Sequence, residues 1–91
     1  MKLINIEEAR KIGNNLGINW KKICLKEFIM GVNIELEHGS RDMETNITND
    51  DLNVTAKIAW AHLKMIKDYY TRLLKMENEA KEYWKNKKSS V

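Results

Sequence analysis

The sequence predicts an all-α protein, a compact bundle of three to four helices whose last helix is long. Three observations predict it. The chain has 91 residues with no proline and only four glycines, too few turn formers for a β-rich protein of this length. Apolar residues recur at helical steps of three and four in its longest patterned stretches. Residues that cap helices sit where those stretches begin. Apolar content of 43% beside 32% charge argues against disorder. A chain this short makes one domain, 1–91, ordered over about 4–86, with one modest core.

The first helix begins after Asn5, with Glu8 three residues on as in a capping box. Ile6, Ala9, Ile12 (or Gly13) and Leu16 form its apolar edge, and Gly17 stops it. Asn19 caps a short turn of Trp20, Lys21, Lys22 and Ile23. The second helix runs from about Leu25 to Glu37 and presents Leu25, Phe28, Ile29, Val32 and Leu36 on one face. VNIELE also alternates like a strand, but it continues a helical pattern and is assigned to the helix; Gly39 is its expected end. Residues 40–49 form a polar connection, and Thr48 or Asn49 caps the next helix. From there Leu52, Ala56, Ala59, Leu63, Ile66, Tyr70 and Leu73 recur at steps of four and three, a heptad seam that reads as one helix to about Lys85. A basic tail, 86–91, ends the chain.

The formal charge of +3 is unevenly spread. Residues 1–50 carry seven Lys and Arg against eight Asp and Glu, and residues 51–91 carry nine against five. This falls short of the dense basic stripe of a dedicated DNA binder. Cys24 is the only cysteine, so the expectation is no intramolecular disulfide, a buried thiol, and a reducing, cytoplasmic location. The opening MKLINIEEAR turns acidic at once, and no stretch approaches the ~20 apolar residues of a membrane helix. The expectation is therefore no signal peptide and no membrane association.

Glu35-Leu36-Glu37-His38 is the segment with most chemical content. Glu35 and His38 stand three apart on a helix, so their heads can converge, in the Glu-x-x-His pattern of carboxylate-bridged metal proteins. At about 100° per residue Glu35 lies at the rim of the apolar face. His62, the only other histidine, lies at the rim of the long seam. Two rim-facing polar groups on helices that pack together are expected within direct or water-bridged hydrogen-bonding distance. Three roles fit: a structural network in which Glu35 neutralises a partly buried histidine, which is favoured; a mononuclear metal site of Glu35, His38 and His62; or acid/base or ligand-binding chemistry. The alternating oxygens of Asp42, Glu44, Asn46, Thr48 and Asp50 imitate a calcium loop, but Ile47 stands at the turn glycine and Asn53 at the bidentate acid. Trp60, Tyr69, Tyr70, Tyr83 and Trp84 interleave with lysines, a pattern open to weak nucleic-acid binding or to an ordinary core and solvated face.

The ordered stretches ELEHG, TNITNDD, TAKIAWAHL and DYYTRLLKME resemble a small family of uncharacterised bacterial and phage proteins, a domain of unknown function. The resemblance runs from about Ala9 to Ala80. Its pattern falls on Glu35, Glu37, His38, Thr45, Asn46, Thr48, Asp50, Asp51, His62, Asp68, Tyr69 and Tyr70. Members often read FPDYY where this chain has Ile66-Lys67-Asp68-Tyr69-Tyr70, so Lys67 stands in a proline position. The resemblance thus implies a break in the long helix near residues 65–67, which the heptad pattern alone does not. Members also often carry proline where Leu52 stands, as suits a first helical turn. The resemblance implies no reaction, and it suggests a phage or mobile-element context.

The functional expectation is a small non-enzymatic binding protein, an inhibitor or ligand sponge acting against host defence, with no cofactor and no assigned catalytic residue. Its partner is expected to be a host or phage macromolecule, a protein in the first instance, with a small-molecule ligand as the alternative. Glu35, His38, Trp60, His62, Tyr69 and Tyr70 are the candidate binding residues. A homo-oligomer is expected, because Trp60 and Tyr83 lie off the seam and leave apolar surface to cover. The rivals are a small metal-dependent or acid/base enzyme centred on Glu35, His38 and His62, and a weak nucleic-acid binder using the basic C-terminal half.

Overall fold

A computed structural model describes residues 3–41 and 51–89, except the side chains of 38–41 and 86–89. The described residues form four helices and no strand: α1 (Ile6–Leu16), α2 (Leu25–Arg41), α3 (Leu52–Met65) and α4 (Tyr69–Ser89).

α1 starts as its sequence dictates. Glu8 N donates to Asn5 Oδ1 at 2.9 Å, and Asn5 N donates back to Glu8 Oε1 at 3.3 Å, closing the capping box. It stops at Gly17, whose φ of 81° is a left-handed conformation that side chains resist. Asn19 then accepts from Lys21 N and shapes the turn that returns Ile18 and Ile23 to the core.

α2 contains VNIELE as helix and continues through Gly39 to Arg41, beyond the expected stop. A glycine inside a helix costs only about 1 kcal/mol; it ends one where the backbone takes the left-handed turn, as at Gly17. Cys24 is exposed, contrary to the expected buried thiol. It precedes α2, with its carbonyl accepting from Phe28 N, so the helical spacing that places Leu25 and Phe28 inward does not extend to it.

α3 is capped by Asp51, whose Oδ1 accepts from Asn53 N at 2.9 Å and Val54 N at 3.1 Å. The cap thus falls later than Thr48 or Asn49, which lie outside the described residues, as does most of the calcium-like run 42–50. The long heptad helix is broken. Ile66 is extended (φ −151°, ψ 130°), residues 67–68 turn, and α4 restarts with Arg72 N bonded to the Asp68 carbonyl. The break sits where the family resemblance put it. α4 then continues to Ser89, through most of the segment read as a tail.

α2 touches each of the other three helices. The core gathers Ile4, Ala9, Ile18, Ile23, Phe28, Val32, Leu36, Ala56, Ala59, Leu63 and Tyr70. Two glycines admit rings to it: a Cβ at Gly13 would collide with Trp20, and one at Gly31 would collide with Tyr70. The molecule is elongated, 52 × 29 × 21 Å. Among the described residues no helix is long and apolar enough to cross a membrane.

Candidate functional site

The break at 66–68 delivers Tyr70 into the bundle at the first turn of α4. Its ring is fully buried in the notch left by Gly31 on α2. Its hydroxyl lies 3.2 Å from Glu35 Oε2 and 2.9 Å from His62 Nδ1. His62 Nδ1 is itself 3.4 Å from the same carboxylate oxygen. The two rim residues expected to meet therefore do meet, with a tyrosine between them. Tyr69 completes the group by stacking on the His62 ring, centroids 4.3 Å apart and nearly parallel.

The surroundings fix the protons. Burial first, and then the charge of Glu35 and its hydrogen bond, push the Tyr70 phenol far above its ordinary range. Tyr70 therefore stays protonated, and its single hydrogen goes to Glu35. His62 must then supply a hydrogen on Nδ1 to the phenol oxygen. In a neutral ring that tautomer leaves Nε2 as an acceptor. The His62 side chain is 30% exposed and Glu35 16%, so the cluster stands at the wall of the bundle. Chemically it can hold an imidazole in one orientation and one tautomer, as carboxylates do for catalytic and metal-binding histidines.

A second polar tie fixes the same helix. Glu27, buried on α2, accepts from Thr71 N at 3.2 Å and from Thr71 Oγ1 at 2.8 Å. A carboxylate from another helix thus occupies one orphan backbone donor at the start of α4, takes the Thr71 hydroxyl as well, and complements the helix dipole. Sequence reasoning missed both Glu27 and Gly31. The one signal available was a glycine in the middle of an apolar helix face.

Of the remaining candidates, Trp60 does not join this cluster. Trp60 is half-buried against the core, with the Lys64 ammonium 4.1 Å from its ring centre; the hydrogen bonds of the cluster run through Tyr70 and not through it. His38 lies on α2 one turn beyond Glu35, and its side chain is outside the described residues. Among the described residues no three of His, Cys, Asp and Glu gather closely enough to hold a metal ion.

Residues 9–79 match a family described as a protein of unknown function (DUF5661). The chain belongs to that family. No curated protein and no solved structure matches it. The family match takes in the whole Glu35–Tyr70–His62 cluster and stops within α4, before Tyr83 and Trp84.

Proposed function

We propose that the chain is a small non-enzymatic binding protein that docks onto another protein through the outer part of α4. The supporting observation is the exposure of large apolar side chains there. Met76 is 59% exposed, Tyr83 53% and Trp84 61%, on a helix whose first turn is fixed in the core. Apolar side chains gathered on one exposed element mark interaction surfaces. The polar cluster, by contrast, is a set of contacts between helices of the bundle, in which the Tyr70 hydroxyl serves both Glu35 and His62. The phage or mobile-element context suggested by the family resemblance fits an inhibitor or ligand sponge. The test is affinity capture from the natural host with wild type, Trp84→Ala and His62→Ala. A stoichiometric protein retained by wild type and His62→Ala but lost with Trp84→Ala supports the reading. Retention by all three moves the surface elsewhere, and capture of nothing by wild type overturns it.

One observation favours a second reading, acid/base chemistry centred on Glu35 and His62 with His38 nearby. The His62 ring is partly open to solvent while its Nδ1 is fixed from inside by Tyr70. Sites of this kind tend to be less stable than they need be. A His62→Ala variant with an unchanged or raised melting temperature would support this reading, and stoichiometric metal in the purified protein would support its metal-dependent form.

A further inference from the structure

We infer that the outer face of α3 docks an amphipathic helix whose apolar stripe is bordered by aspartate or glutamate. This is a different surface from the outer half of α4, and it does not rest on docking there. Thr55, Ala56, Ala59 and Leu63 turn one side of α3 to the core. On the other side Val54, Ile58, Ala61 and Met65 are spaced by four, three and four residues, the a/d spacing of a helix-pairing seam. Val54 is 42% exposed and Met65 77%; Ala61 between them is exposed and Ile58 is half-buried. A helix that is apolar on both sides is expected to be covered on both, and among the described residues only one side of α3 lies in the core.

Charge selects the occupant. At about 100° per residue, Lys57 and Lys64 fall roughly 70° to 90° to one side of the stripe's centre, and Thr55 and His62 fall as far to the other. The two lysines stand one heptad apart, about 10 Å along the axis, in a position that borders a paired helix. From 52 to 67 the chain holds Lys57, Lys64 and Lys67 and no carboxylate. The carboxylates at either end and beside His62 are engaged: Asp51 caps α3, Asp68 bonds Arg72 Nε at 2.8 Å, and Glu35 meets Tyr70 and His62. Lys57 makes no ion pair among the described residues. The Lys64 ammonium rests on the Trp60 ring, which orients its charge without neutralising it. Border charges choose partners by opposite sign, so a helix with acidic borders fits. A second copy laid antiparallel sets lysine against lysine, and laid parallel it answers the lysines with Thr55 and His62. A nucleic acid finds too few phosphate contacts in two lysines, and Trp60, roughly 130° from the stripe's centre, offers it no stacking platform there. The stripe is about 17 Å long, so micromolar affinity is expected.

The experiment titrates the full-length protein into three labelled helical peptides that share one leucine–alanine stripe and differ in their borders: glutamate, glutamine or lysine. A fourth peptide has the glutamate composition in scrambled order. The glutamate-bordered peptide is expected to bind at least tenfold tighter than the lysine-bordered one, with glutamine between and the scrambled peptide without binding. Lys57→Glu, on an exposed position, should narrow or reverse that order, and Met65→Ser should weaken all three; circular dichroism checks that both variants keep their helix. Trp84→Ala should leave the order and the affinities unchanged, whether or not α4 docks a partner of its own. Equal affinity for the three borders overturns the acidic partner. Equal binding of the scrambled peptide overturns the helix, since charge alone then suffices. Binding of none overturns docking on this face, and a loss with Trp84→Ala as large as that with Met65→Ser overturns it by placing the peptide on α4. Dimerisation abolished by Met65→Ser overturns the inference in favour of a second copy. Tighter binding of oligothymidine, or of phosphatidylserine vesicles, than of the glutamate-bordered peptide overturns it in favour of a nucleic acid or a membrane surface.

Discussion

The two halves of α4 are continuous helix, yet they are held by different things. The inner turns are fixed from outside. Tyr70 fills the Gly31 notch and bonds Glu35, Thr71 is tied to Glu27 through backbone and side chain, and Leu73 packs on the core. Between residues 76 and 85 only Glu77 is even half-buried. Short helices are marginal without packing, so the outer half, with less buried surface, depends on the anchored turns before it. Stability is expected to be unevenly distributed along one element: an anchored base carries an apolar surface that is largely exposed.

The sharpest way to break this contrast is Tyr70→Ala. Removing a buried aromatic ring costs about 3–5 kcal/mol, and here it also takes the phenol from Glu35 and His62. Urea unfolding should show the loss, with a melting temperature lower by roughly 4–8 °C per kcal/mol. Tyr70→Phe keeps the ring and removes only the hydroxyl, so it should cost about 1–2 kcal/mol. A Tyr70→Ala variant no less stable than Tyr70→Phe would mean that the ring does not anchor the helix.

Next comes Gly31→Ala. In an exposed helix interior this change gains about 1 kcal/mol, but here the new methyl meets the Tyr70 ring. Overpacking should win, for a net loss of about 1–3 kcal/mol. The matched change in the outer half, Asn78→Ala, meets no core and should stabilise by about half a kcal/mol. Opposite signs in the two melting curves are the expected result.

Much of this organisation was legible in the sequence, for local reasons. Asn5 with Glu8, Gly17, and the spacing of Phe28, Val32 and Leu36 are patterns a few residues long, and each behaves as read. The meeting of Glu35 with His62 was legible because both stand at the rim of apolar faces that must pack. What failed depends on non-local geometry. The spacing Leu63, Ile66, Tyr70 is as regular across the break as within a helix, so periodicity cannot reveal it; only the proline position of the family resemblance did. Without the break Tyr70 reads as one more seam residue and not as the bridge between Glu35 and His62. Glu27 was invisible because its partner, Thr71, lies 44 residues away. Cys24 was misplaced because a helical face was extended past the start of its helix.

Alkaline pH provides a gentler probe of the anchored half. Tyr70 ionises near its ordinary value of 10.0 in the unfolded chain, and far higher in the folded one, where burial and Glu35 oppose the charge. Below pH 10 both states hold the proton and the group contributes no pH dependence. Above it the unfolded state loses the proton first, so stability falls by about 1.4 kcal/mol per pH unit. The difference between wild type and Tyr70→Phe, measured by urea unfolding from pH 9 to 11, should shrink as pH rises. A constant difference would mean that the phenol is not shielded.

The smallest stability effect is expected where the binding effect is largest, at Trp84→Ala. Replacing a tryptophan by alanine in a core costs several kcal/mol, but Trp84 is 61% exposed and its ring contact is with Tyr83 on the same helix. Alanine is also the better helix former, by a few tenths of a kcal/mol. The two terms nearly offset each other, and the melting temperature should move by less than the roughly 4 °C that 1 kcal/mol would produce. A loss comparable with that of Tyr70→Ala would place Trp84 against the bundle and remove the distinction between the halves of α4. An unchanged melting curve together with lost capture of the partner would locate the binding energy on a surface that folding does not need. That combination cannot arise from a general loss of structure, which would lower both.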